Sequence, residues 1–249
     1  MFPPECNGRP VRGICLPGRG HNRISSYGVS AGGLEVGVSR RVVGVTLDNL
    51  EHLAKHSRTC VFWELAPHLK EQAEEFGDTE FEKEAWVSSV LLEWGSCGRI
   101  IYCDGIPAGS VFYAPPAAVP RSLAFPTSPA SPDAVLMTGL EVLPEFRGGG
   151  LGRVLVQTVA KDLTRRGVKA IEAFGDNRPD DGQSCVTPAD FLLQVGFKTV
   201  RPHPRWPRLR LELRSASSWK EDVEAALERL LGSVTVSTAP AAEPSLRPA

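Results

Sequence analysis

The stretch Leu140-Glu141-Val142-Leu143-Pro144-Glu145-Phe146-Arg147-Gly148-Gly149-Gly150-Leu151-Gly152-Arg153 decides how this 249-residue chain is read. It runs from a β-like segment through an Arg/Gly turn straight into an amphipathic helix, with Leu151, Val154, Leu155, Val159 and Leu163 as its buried stripe. Glycine lets a backbone approach an anion closely. The first helical turn adds N–H groups that have no intrahelical partner, at the positive end of the helix dipole. Strand, glycine turn and helix N-terminus in that order make a phosphate cradle.

Two common nucleotide-binding patterns fail on spacing. A Walker A loop requires Lys-Ser or Lys-Thr after its last glycine, and Gly152 is followed by Arg153-Val154. A dinucleotide fingerprint starting at Gly148 and Gly150 requires a third glycine where Arg153 stands, although Glu172 sits at about the distance of a ribose-binding acid. A glycine-rich turn that only caps an ordinary helix is the plain alternative, and the flanking elements weigh against it.

What fits is R-x-x-G-x-G, at Arg147-Gly148-Gly149-Gly150-Leu151-Gly152. This resembles the acyl-CoA pyrophosphate loop of the GNAT superfamily of N-acyltransferases. The rest of the chain is compatible with that resemblance. Arg41–Val45 reads as a short strand, and Thr46 caps a helix with Leu47, Leu50 and Leu53 on one face. Cys60–Leu65 is apolar and aromatic, fit for core or for a pocket wall. A second helix opens at Thr79, with Glu82 completing a capping box, and stops at Gly95. Asp104-Gly105 joins strands 99–103 and 106–113 as a type I′ hairpin.

Residues 114–133 are rich in Pro, Ala and Ser and read as an exposed loop that overhangs the site. Ala134–Val142 is a strand, Gly167 ends the helix after the loop, and 168–174 is a strand again. A short helix over 188–195 stops at Gly196, and strands at 197–201 and 208–214 follow. The element order β-α-α-β-β-β-α-β-α-β-β and Val195-Gly196-Phe197 resemble the same superfamily over residues 41–214. The expected division is a disordered or loosely attached arm (1–40), a GNAT-like α/β domain with a mixed, splayed sheet flanked by helices (41–214), a C-terminal helix (215–232) opened by a Ser218/Glu221 capping box, and a flexible tail (233–249).

The resemblance implies a site as well as a fold. The amides of Gly148, Gly149, Gly150, Leu151, Gly152 and Arg153 hold the pyrophosphate of acetyl-CoA, the co-substrate, with Arg147 and Arg153 adding positive charge. Backbone groups of Leu140, Glu141 and Val142, at the end of a splayed strand, hold pantetheine and thioester. Glu141 stands where many members place the group that drains the ammonium proton through water; a solvated strand-end acid is the other reading. Glu64 is a reserve base or a structural ion-pair partner. Four residues before Gly196, where the family often has a tyrosine acid, this chain has Leu192. Cys185 stands where relatives often carry an asparagine beside the pantetheine arm. The implied reaction is acetyl transfer from acetyl-CoA to a primary amine by direct attack in a ternary complex. The alternative is a non-catalytic acyl-CoA-binding regulatory module on the same fold.

Charge and cysteines bound the partners. A net charge of −1 argues against a dedicated nucleic-acid binder, which needs a concentrated basic surface. Local excesses of four positive charges in residues 1–41 and five in 197–214 remain. Pro202-His203-Pro204-Arg205-Trp206-Pro207-Arg208 is stiff, aromatic and basic, suited to an anionic or aromatic acceptor or to a structural hairpin. Six cysteines contain no C-x-x-C pair, so no metal site is expected and reduced thiols in a cytoplasmic protein are the simpler account. No stretch of about 20 apolar residues suggests a membrane span. The expected partner is a small-molecule or peptide amine acceptor, and a homodimer is compatible with the sequence.

Overall fold

A computed structural model describes residues 39–179 and 185–213. The expected helix over 215–232, the tail after it and nearly all of the N-terminal arm lie outside the described residues. Seven strands form one sheet in the order β1-β2-β3-β4-β5-β7-β6: β1 (Arg40–Gly44), β2 (Gly98–Cys103), β3 (Ile106–Ala114), β4 (Ala134–Val142), β5 (Ala170–Phe174), β6 (Lys198–Arg201) and β7 (Arg208–Glu212). All neighbours are antiparallel except β4 and β5. A parallel pair needs a crossover, which α4 (Leu151–Arg165) provides.

Period-two alternation sends successive side chains to opposite faces. Ile101 and Cys103 of β2 join Met137 of β4 in the core under α4, whereas Ile100 and Tyr102 join Leu136 in the core under α3 (Thr79–Glu93). Leu155, Val159 and Leu163 are fully buried beneath α4. Asp162 fixes the far end of that helix to the sheet, through Arg99 at 2.9 Å and the Tyr113 hydroxyl at 3.0 Å. The hairpin is as expected, with Asp104 and Gly105 at φ 49° and 83°.

Several expectations need correction. Residues 47–52 form a 3-10 turn in which Leu50 is buried and Leu47 exposed; its capping box pairs Thr46 with Asn49. At α3 the N-cap is Asp78, Thr79 already lies inside the helix, and no side-chain cap bond forms. Two helices stand where the sequence pattern gives none, α1 (Lys55–Thr59) and α2 (Pro67–Phe76). Residues 114–133 do not overhang a site. They fold as two 3-10 turns, with Val119 buried and Phe125 stacked on Trp63 and Phe174 at 5.2 and 4.5 Å between ring centres. Trp86 Nε1 donates to Ala118 O at 2.7 Å and fixes the first turn.

Close strand approach sets the geometry next to Glu141. A Cβ on Gly109 of β3 would lie 2.5 Å from the Glu141 carbonyl oxygen of β4, so only glycine fits without shifting a backbone. Gly109→Ala is expected to lower stability by about 1–3 kcal/mol, the usual cost of overpacking, read as a reduced urea midpoint at an unchanged slope. An unchanged midpoint would mean that β3 and β4 separate freely at this point.

Candidate active site

Pairing between β4 and β5 covers only Ala134–Ala170, Val135–Ile171 and Leu136–Glu172. Beyond Leu136, β4 keeps its β3 neighbour, with Leu140 opposite Val111, Glu141 opposite Ser110 and Val142 opposite Gly109. The sheet therefore opens along the other edge of β4. A cavity of about 1020 Å³ fills this opening, lined by the end of β4, the loop, the start of α4, α1, the segment after it, and residues around α5 (Ala189–Gln194).

The N-terminus of α4 faces this cavity. Its N-cap is Gly150 at φ 75°, a left-handed conformation that L side chains rarely adopt, and no side chain caps the helix. The amides of Leu151, Gly152 and Arg153 thus lack intrahelical acceptors. Gly152 is needed for another reason: a Cβ there would meet the Phe191 ring of α5 at 3.0 Å, so this glycine lets the helix pack as well as exposing its amide. Arg147 and Arg153 line the cavity while anchored to backbone oxygens, Arg147 Nε to Val142 at 3.0 Å and Arg153 Nη2 to Gln194 at 2.9 Å.

The sequence-derived residues largely converge. Leu140, Glu141, Val142, Arg147, Gly148, Gly150, Leu151, Gly152, Arg153 and Cys185 all line the cavity, and Gly149 does not. Glu141 Oε2 accepts a 2.5 Å hydrogen bond from the hydroxyl of Ser57 on α1, which in turn accepts one from Ser110 at 3.3 Å. The acid is held, not loose in solvent. Leu192 is fully buried in the core under α4, and α5 turns Phe191 and Gln194 to the cavity instead. No tyrosine lines the cavity, and His56 is its one histidine among the described residues.

Glu64 is a structural ion-pair partner. Its carboxylate meets Lys83 Nζ of α3 at 2.5 Å, both side chains are buried at the cavity wall, and Trp63 N adds a 3.2 Å bond. The basic 202–208 segment does not line the cavity. Its charges serve the fold: Arg208 is buried against Glu172 at 3.2 Å and donates to Pro129 O, and Arg205 covers the Trp206 ring at 4.6 Å. Glu172, the acid at ribose-binding distance in the sequence, is therefore taken up by arginines, Arg210 at 3.3 Å being the second.

Sequence reading missed the surroundings of Cys185. Its sulfur lies 3.1 Å from Cys60 Sγ and 3.8 Å from His56 Nε2, and Trp63 Nε1 holds its carbonyl at 2.7 Å. The contact with Cys185 pulls the Cys60 thiol down from its ordinary value to about 6, against the opposing effect of burial. The same contact, with burial, pushes Cys185 up. The available signal was the His56-Ser57-Arg58-Thr59-Cys60 spacing, which places both donors on one side of a helical turn.

Comparison with known proteins agrees with this architecture. Residues 59–182 match the model of the acetyltransferase (GNAT) family, and the chain belongs to that family. No curated protein matches its sequence. Similar solved structures include the PaiA N-acetyltransferase of Thermoplasma acidophilum in complex with coenzyme A, 12% identical, with a TM-score of 0.47 over 70% of this chain and 99% of that one. An N-acetyltransferase from Staphylococcus aureus Mu50 is 12% identical with a TM-score of 0.48, over 71% and 99%. The yncA protein of Salmonella typhimurium with its cofactor acetyl-CoA is 14% identical with a TM-score of 0.47, over 70% and 94%. No helix among the described residues is long and apolar enough to cross a membrane.

The buried pair makes a measurable claim about the cavity wall. Lys83→Met leaves the Glu64 carboxylate without its partner and is expected to cost about 3–5 kcal/mol, whereas the double variant Lys83→Met/Glu64→Gln regains much of the loss. Chemical denaturation of the wild type, Lys83→Met, Glu64→Gln and the double variant checks this. Additive losses in the double variant would show that the two charges are not coupled.

Proposed function

We propose that this protein is an N-acetyltransferase that moves an acetyl group from acetyl-CoA to a primary amine by direct attack in a ternary complex. The observation that carries the reading is the uncapped N-terminus of α4 opening, with the unpaired edge of β4 and Glu141, onto one cavity. A pyrophosphate suits the three free amides, the helix dipole and the guanidinium groups of Arg147 and Arg153. An extended pantetheine arm suits the β4 edge beyond Leu136, in a cavity that Cys185 also lines.

When bound, acetyl-CoA supplies an activated acyl group, and the chain's work is to place it and to handle protons. Glu141 takes the ammonium proton of the acceptor through water, so that the neutral amine can attack. Ser57 fixes the carboxylate by its 2.5 Å bond. With leucine at position 192, the proton for the departing thiolate must come from another group, and His56 is the one histidine lining the cavity among the described residues. The acceptor is a small-molecule or peptide amine, met in the cytoplasm.

The second reading, an acyl-CoA-binding regulatory module without catalysis, is favoured by one feature: Leu192 supplies no hydroxyl and is buried away from the cavity. Release of CoA from acetyl-CoA in the presence of a panel of amines separates the two. Glu141→Gln is expected to reduce turnover about 10²-fold while leaving the acetyl-CoA thermal shift nearly unchanged, with the deficit shrinking at high pH as the amine loses its proton unaided. Equal turnover across pH with chemistry rate-limiting removes Glu141 from the mechanism. Retained binding with no turnover by the wild type favours the module.

A further inference from the structure

His56, Cys60 and Cys185 bring an imidazole and two thiols together on the cavity wall, with their donor atoms all within 4.8 Å of one another. We propose that these three side chains form a binding site for a soft divalent cation of the zinc class, with a fourth coordination position open to the cavity. The inference does not rest on acetyl transfer, although it uses residues of the same cavity, and its test reads cation binding alone.

Geometry supports it at three points. Zinc binds thiolate at about 2.3 Å and imidazole nitrogen at about 2.0 Å, so tetrahedral donors sit roughly 3.5–3.8 Å apart. The Cys185–His56 separation of 3.8 Å is close to that spacing, the sulfurs, at 3.1 Å, need to part by a fraction of an ångström, and the His56–Cys60 pair lies within 4.8 Å. His56 and Cys60 come from a single turn, at the second residue of α1 and at its C-cap. Cys185 comes from 125 residues further along the chain and is held from outside the cluster by the Trp63 indole on its carbonyl. The cluster is therefore built from separate segments whose placement does not depend on a metal.

Donor chemistry selects the ion. Two sulfurs and one imidazole favour zinc-like or cuprous ions over magnesium and calcium, which prefer oxygen. Glu64, the nearest acid in the chain to Cys60 on this wall, is already engaged by Lys83 and is not among the donors. Three protein ligands and one open position is the arrangement of a zinc site accessible to water or to an added ligand, not of a closed structural site.

The test is anaerobic titration of the reduced full-length protein with Co²⁺, a spectroscopic substitute for zinc, followed by competition with Zn²⁺. A near-ultraviolet thiolate-to-cobalt charge-transfer band should saturate at one equivalent and disappear when zinc is added. His56→Ala, Cys60→Ser and Cys185→Ser should each weaken cobalt binding by about tenfold or more. A Cys6→Ser/Cys15→Ser variant should keep the band, and circular dichroism verifies folding of each variant. His56→Ala changes neither thiol and keeps the test decisive should a cysteine variant fail to fold. Absence of the band in the wild type, unchanged cobalt affinity in His56→Ala, or loss of the band in Cys6→Ser/Cys15→Ser overturns the assignment. So does reduced protein that binds no cation and forms a Cys60–Cys185 disulfide on exposure to air.

Discussion

Hydrogen bonding between β4 and β5 covers three residue pairs and stops at Leu136, and most of what the site offers follows from that early end. Had the ladder continued, the β4 edge through Val142 would be consumed by sheet bonds and the cavity would be closed. Divergence is maintained from both sides. Gly109 lets β3 grip the Glu141 backbone closely, while Glu172, fully buried on β5, is tied to Arg208 and Arg210 of β7. Each of the two strands is thus bound more firmly to its outer neighbour than to its partner across the opening.

Placement of α4 depends on the same opening. Its buried stripe and the contacts of Asp162 with Arg99 and Tyr113 fix its direction across the sheet, leaving its N-terminus at the gap. Gly150 turns the chain into the helix without a side-chain cap, and Gly152 lets Phe191 pack against the first turn. The orphan amides are left to whatever enters the cavity. An anion is the natural occupant on electrostatic grounds.

Much of this was legible in the sequence, because it rests on local patterns. The loop, the α4 stripe, the Asp104-Gly105 hairpin and the β4 boundaries depend on period and turn chemistry, which act over a few residues. The failures have long-range causes. Prolines in 114–133 resembled an exposed loop, but they permit 3-10 turns that deliver Phe125 to Trp63 and Phe174, residues far away in the chain. Arg208 reads as part of an acceptor-binding or hairpin segment because its carboxylate partner, Glu172, belongs to another strand. Glu141 was found by its position beside the loop, yet its Ser57 partner lies on a five-residue helix too short to show a period. The cluster at Cys185 was invisible for a similar reason, since one of its three members is joined by a contact across 125 residues.

The central claim is that the open β4 edge and the first turn of α4 together receive acetyl-CoA. Hydrogen exchange with and without acetyl-CoA measures this directly, because occupied amides exchange more slowly. Slower exchange concentrated in peptides covering residues 138–142 and 151–153 is the predicted result. Binding accompanied by unchanged exchange in both peptides, or protection confined to other parts of the chain, would contradict it.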